Sequence, residues 1–320
     1  MIIVFMNGQR GVALLLASIG SLVLAGCAVA SSDSSGGSTK SRALSIVTAA
    51  YPFQFVTERV VAENGSVSNL TAPGAEPHDL ELTPRQVGSI VRADLVIYLK
   101  GFQPAVDEAV VQSGGNNVLD TTTVVPLEDR GGRADEHTDH EHDEESGGLD
   151  PHVWLDPTRL AAIAGAVADR LAALDPQHAS DYLTNANRLE SQLTDLDRRF
   201  ATGLSSCERT EFITTHVAFG YLAERYGLTE VAVSGLSPDV EASPARIAEV
   251  QQEAKAHGIT TIFFETLTSP AAAQAIAGDL GLRTDILDPI EGITADSRGS
   301  DYLSVMAANL AALRKANACH

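Results

Sequence analysis

The chain has 320 residues, 44% hydrophobic, 5% aromatic and 20% charged, enough for two ordinary domains with cores of their own. Its formal net charge of −20 excludes nucleic acid and anionic membrane surfaces as partners, because both require a basic footprint. Small cations remain as natural clients.

Residues 1–26 carry Arg10 as their only charged side chain, followed by the apolar run Val12 to Leu24, and read as a secretory signal peptide rather than a spanning helix. The segment closes on Leu24-Ala25-Gly26-Cys27, which resembles the bacterial lipobox. That resemblance implies that Cys27 becomes the lipidated first residue and anchors the protein to the outer face of a cell membrane. An ordinary signal peptide with a chance cysteine is the alternative. Residues 27–42 have the Ser and Gly content of a flexible tether.

From Ala43 onward, short β-rich runs alternate with helical patterns. Strands are expected at Leu44 to Ala49, Val67 to Thr71, Leu95 to Leu99 and Asn117 to Leu119, with helices starting near Phe53, Thr83 and Gln103. Such an alternation folds as a parallel sheet covered by helices. The scheme returns with strands at Glu211 to Thr215, Thr229 to Val233, Thr260 to Phe264 and Arg283 to Leu287. Its helices end at Tyr226, run over Ser243 to His257 and Ala271 to Leu280, and close the chain at Ser300 to Ala316. The fold class is therefore α/β, with an N-terminal lobe over 43–175 and a C-terminal lobe over 205–320.

A long helix over 176–204 is expected between them. Asp156-Pro157 and Asp175-Pro176 each place an acid at the cap position before a proline at the first helical position. Tyr182, Ala186, Leu189, Leu193, Leu196 and Phe200 recur four and three apart, which gives one apolar stripe. At about 1.5 Å per residue the helix would span roughly 40 Å, a stiff connector rather than a hinge.

The acidic run within loop 133–148 carries His137, His140 and His142 among seven carboxylates from Asp135 to Glu145. This composition cannot build a core but can gather cations; a plain solvated loop is the alternative. It leads into Gly147-Gly148-Leu149-Asp150-Pro151-His152-Val153-Trp154-Leu155-Asp156-Pro157, where His152 is held between a proline and a helix start. Asp150 reads as a turn former, Asp156 as a cap and Trp154 as core. His178, His257 and His320 have no motif around them and read as surface residues.

Imidazoles and carboxylates that follow strand ends in an open α/β sheet are positioned to hold a borderline divalent ion. His78, His152, His216 and Asp288 meet both conditions, and Glu265 would orient one of the histidines from behind. Apart from Cys27, the cysteines are Cys207 and Cys319, which are expected to pair in an oxidising compartment. Such a bridge would contribute about 4 kcal/mol on the chain-entropy model. Two separate buried cysteines are the alternative.

Five stretches carry a family resemblance, in chain order: Pro77-His78-Asp79 with Thr83-Pro84; Asp150-Pro151-His152-Val153-Trp154-Leu155; His216-Val217-Ala218-Phe219-Gly220-Tyr221-Leu222; Ile262-Phe263-Phe264-Glu265; and Leu287-Asp288-Pro289. They resemble the metal-binding solute receptors of ABC transporters, which take zinc, manganese or iron in a cleft between two lobes joined by a rigid helix. The resemblance covers Ala43 to Ala318. It implies three histidines and an aspartate as ligands, a permease as partner and a monomeric receptor on the extracytoplasmic side. His216 stands where the manganese members usually carry a carboxylate, so the resemblance favours Zn²⁺ over a manganese or iron cargo. A zinc hydrolase would need an open coordination position and a general base, with Glu265 as the candidate. A surface adhesin would need an adhesive motif, and none stands out.

Overall fold

The computed structural model describes residues 42–115, 117–130, 148–238 and 242–320. The signal segment, Cys27, the tether up to residue 41 and His137, His140 and His142 lie outside the described residues. Residues 42–320 form one compact unit. No helix among the described residues is long and apolar enough to cross a membrane.

Two four-stranded parallel sheets carry the fold, as the alternation of strands and helices requires. The first contains β1 (Leu44–Thr48), β2 (Gly65–Asn69), β3 (Leu95–Tyr98) and β4 (Val118–Asp120) in the order β2-β1-β3-β4. The second contains β5 (Glu211–Thr214), β6 (Thr229–Ala232), β7 (Thr261–Phe264) and β8 (Arg283–Ile286) in the equivalent order β6-β5-β7-β8. The inner strands β1, β3, β5 and β7 are buried nearly throughout because helices cover both of their faces. β2 starts two residues earlier than expected because Gly65 pairs with Leu44 at the beginning of the ladder. A Cβ at Gly65 would fall 2.6 Å from Val61 Cγ2, so only glycine lets the chain turn so closely onto β1.

The helices are α1 (Tyr51–Val61), α2 (Pro84–Arg92), α3 (Pro104–Gln112), α4 (Pro157–Leu174), α5 (Ala179–Leu204), α6 (Gly220–Tyr226), α7 (Pro244–Ala256), α8 (Ala271–Leu280) and α9 (Tyr302–Asn317). Side-chain caps set the starts of α2, α4, α7 and α9. Thr83 and Asp301 each close a capping box, while Asp156 accepts from Thr158 N and Ser243 from Arg246 N.

Asp175 departs from the expected cap. Pro176–His178 forms a 3-10 turn ahead of α5, and the Asp175 carboxylate is taken instead by His178 Nδ1 at 2.6 Å and Tyr182 Oη at 2.9 Å. His178 is accordingly a paired, half-buried residue rather than a free surface one.

α5 extends for 26 residues and buries the expected stripe from Tyr182 to Phe200, adding Leu204. That stripe joins one continuous apolar core with α1, α4, α6 and α9 and the inner sheet faces, including Phe53, Trp154, Phe212 and Phe263. Two smaller cores lie on the outer faces, under α2 and α3 on one side and α7 and α8 on the other. The connector is therefore embedded in both halves, and bending it would expose packed apolar surface. Cys207 and Cys319 form a disulfide that fastens the start of the second half to the end of α9.

Candidate metal centre

His78 sits on the loop after β2. That loop is held by Gln103, 1% exposed, whose amide donates to Thr71 Oγ1 and to the Pro77 carbonyl. The Phe102 ring meets the imidazole edge-on at 4.8 Å. His152 caps the short 3-10 turn Val153–Leu155, which Trp154 pins: its Nε1 donates to the Pro289 carbonyl at 2.7 Å, and its own carbonyl accepts from Tyr302 Oη. Trp154 is fully buried core, as expected.

His216 follows β5 on a loop gathered by one partly buried carboxylate. Glu230 accepts from Thr214 Oγ1, Ala218 N and Phe219 N, and Thr214 Oγ1 also bonds the His216 carbonyl. Burial pushes the Glu230 carboxyl above its ordinary range against these donors.

The three imidazoles converge. Ring centroids lie 5.4 Å apart for His78 and His152, 5.4 Å for His152 and His216, and 6.2 Å for His78 and His216. The carboxylate that meets them belongs to Glu291. One ligand atom each from His78, His152, His216 and Glu291 lies within 4.8 Å of the other three. Glu291 Oε1 is 2.8 Å from His152 Nε2, 3.2 Å from His78 Nε2 and 4.0 Å from His216 Nε2. A tetrahedral zinc with bonds near 2.0 to 2.1 Å needs ligand atoms roughly 3.3 Å apart, so the set, spread over up to 4.8 Å, must draw together by up to about 1.5 Å to hold one. His216 Nε2 and Glu291 Oε2 are buried without any hydrogen-bond partner, as atoms reserved for an ion would be.

Asp288, expected as the fourth ligand, is committed elsewhere. Its Oδ1 accepts from Ile290 N, its Oδ2 accepts from Thr266 and Ser297, and its backbone is clamped by Asn309. It builds the turn that delivers Glu291. Ile290 within that turn has φ 61, a left-handed conformation that a β-branched residue rarely adopts. This strained step swings the next side chain back into the centre.

Behind the ring stand two further carboxylates. Asp150, fully buried, accepts from His152 N at 2.9 Å and lies 2.7 Å from His152 Nδ1, a larger role than turn forming. Glu265 Oε1 lies 2.6 Å from His216 Nδ1. Both contacts leave Nε2 as the atom that faces the centre.

Electrostatics follow from this crowding. Burial pulls the His152 imidazole down, but the bonds and charges of Asp150 and Glu291 outweigh it and hold its pKa up to about 10. His216 is likewise raised, with burial opposed by the Glu265 charge and hydrogen bond. Burial would raise Glu291, yet His152 and His78 hold it well below the ordinary carboxylate range. Glu76, two residues before His78, is pushed up to about 8 by burial and then by the Glu291 charge. The ring thus stores negative charge that protons balance until a cation replaces them.

A sequence profile for the zinc-uptake complex component A, periplasmic, matches residues 46–316. The chain belongs to this family. Zinc-binding lipoprotein AdcA of Streptococcus pneumoniae is 35% identical over 315 residues, 96% of this chain and 61% of that protein. The chain thus spans about three fifths of that relative's length. High-affinity zinc uptake system protein ZnuA of Bacillus subtilis is 34% identical over 302 residues, 92% of this chain and 93% of the relative. The solved Zn(II)-bound ZnuA-like domain of Streptococcus pneumoniae AdcA superposes with a TM-score of 0.72 at 34% identity, over 86% of this chain and 99% of that one.

Within the family fold, His78, His152 and His216 lie close together, and the carboxylate beside them is that of Glu291 rather than Asp288. Glu291 carried no motif of its own. The only signal was a carboxylate a few residues past the β8 end.

Proposed function

We propose that this protein captures Zn²⁺ outside the cytoplasm and delivers it to the permease of an ABC importer, with no reaction catalysed. The observation that carries this reading is the convergence of His78, His152, His216 and Glu291 in a buried pocket, with two of the imidazoles braced by carboxylates. Three nitrogens and one oxygen favour zinc over oxygen-preferring manganese. Four protein ligands fill a tetrahedral shell, whereas a zinc hydrolase keeps one position open for water. In this reading Glu265 and Asp150 orient His216 and His152, the lipid on Cys27 keeps the receptor at the membrane, and the acidic histidine run adds capture capacity.

The test is the metal content of the purified protein and competition among Zn²⁺, Mn²⁺ and Fe²⁺ for the site, with His78→Ala, His152→Ala and His216→Ala alongside. Zinc should win and each variant should lose most of its affinity. Preferential Mn²⁺ retention at micromolar competition would overturn the zinc assignment.

A further inference from the structure

The ligand ring is closed: the His152 and Glu291 side chains are fully buried, His216 is 2% exposed and His78 11%. An ion held there leaves only when the two halves separate, so any contact made across them in this arrangement slows release. Beside the contacts of His78 and His152 to Glu291 and the Trp154–Pro289 bond, a polar cluster around Arg130 crosses between the halves and reaches His152 through Asp150.

Arg130 lies in the first half and is the last residue before residues 131–147. Its backbone N donates to the Gly148 carbonyl at 2.7 Å. Its guanidinium bonds Glu128 at 2.5 Å in its own half and Glu224 of α6 in the other. The same group lies over the Tyr221 ring of α6, 4.8 Å from the centroid. Tyr221 in turn crosses the junction, donating from Oη to the Asp150 carbonyl at 2.9 Å and accepting from Glu128 N at 2.8 Å.

Arg130 Nε and Asp150 Oδ2 are both buried without a hydrogen-bond partner, and they face each other at 3.7 Å. Asp150 is the carboxylate that holds His152. Gly220 leaves the space this requires, since a Cβ there would fall 2.6 Å from Arg130 Cδ and 3.1 Å from Asp150 Oδ2.

We propose that Arg130 is a latch and positioning residue for zinc release: it ties Glu128 and Asp150 of the first half to Tyr221 and Glu224 of α6, and supports His152 through Asp150. The latch exists only while the halves are together, so its energy adds to zinc retention through the dissociation rate.

The inference rests on the zinc reading above, and the experiment separates the two. Zinc dissociation from the purified protein is followed by chelator chase for the wild type, Arg130→Gln, Arg130→Lys and Gly220→Ala, with ¹¹³Cd NMR of each loaded protein and thermal melting without metal. Arg130→Gln and Gly220→Ala should release zinc about tenfold faster, as expected for losing a charge-assisted bond and its support. Arg130→Lys should recover part of the rate. The ¹¹³Cd shift should move in Arg130→Gln, since His152 loses its backing, while the metal-free melting point falls by no more than a few degrees, because glutamine keeps a donor beside Asp150 and the lost Glu224 pair is mostly exposed on the glutamate side. Release rates within twofold of wild type in both Arg130→Gln and Gly220→Ala would overturn the latch. So would faster release that merely follows a large fall in melting point with an unchanged ¹¹³Cd shift. A wild-type protein that binds no zinc would sink the zinc reading instead.

Discussion

Replacing Glu291 by glutamine separates the proposed set His78, His152, His216 and Glu291 from the set with Asp288 that the sequence pointed to. The Glu291 carboxylate is fully buried, lies within 3.2 Å of two imidazoles and keeps Oε2 free of other partners. Glutamine retains the shape but removes the charge and turns one of the acceptor atoms into a donor. Breaking a buried charged pairing by changing one partner costs about 3 to 5 kcal/mol. Part of that cost also falls on the metal-free protein, where Glu291 faces His152. A net loss of about 3 kcal/mol in zinc binding, or roughly two orders of magnitude in affinity, is therefore expected.

Asp288→Asn is the control. Its oxygens serve Ile290 N, Thr266 and Ser297, so it should disturb the turn and shift affinity by no more than about tenfold. Competition against a chelating zinc dye, at fixed pH and salt, reads both variants. If Asp288→Asn abolished binding while Glu291→Gln kept it, the four-residue assignment would be wrong.

Zinc binding at pH 8 should release about one proton, since His152 is held up to about 10 in the metal-free protein and must give up the Nε2 proton to bind. Calorimetry in buffers of different ionisation enthalpy measures the proton; none released would contradict the His152 pairing. The same raised value means that this pairing stabilises the metal-free protein fully below the ordinary histidine value of about 6.5, and that the stabilisation is lost as pH rises through about 10. Melting points of metal-free protein should accordingly fall across that alkaline window. Asp150→Asn and Glu265→Gln should each weaken zinc binding by about 10- to 100-fold, the usual cost of losing a carboxylate behind a ligating histidine. Reducing the Cys207–Cys319 bridge, which spans 112 residues, should cost about 5 kcal/mol and lower the melting point by roughly 10 °C; an unchanged melt would show that the chain-entropy account does not hold here.

The two-sheet α/β plan, the long α5 and the positions of His78, His152 and His216 were legible in the sequence because each rests on local rules. Apolar runs between turn residues mark buried strands, an apolar stripe three and four apart marks α5, His216 just past β5 and His78 on the loop after β2 fall where such sheets bind ligands, and His152 is marked by its own Pro151 and Asp156-Pro157 motif. The Asp175 cap failed because Tyr182 and His178 competed for its carboxylate, a choice between neighbours that spacing does not rank. Glu291 was hidden for a different reason. Its direction depends on Ile290 adopting φ 61, which isoleucine disfavours on its own and accepts only because Asp288 and Asn309 fix the turn around it. Asp150 behind His152 and Arg130 behind Asp150 became visible only once Gly220 and Tyr221 were packed against them. Local sequence thus determined which elements form and which histidines the loops between them carry. Tertiary packing decided which carboxylate completes the ring, because that depends on where chain segments more than a hundred residues apart are held.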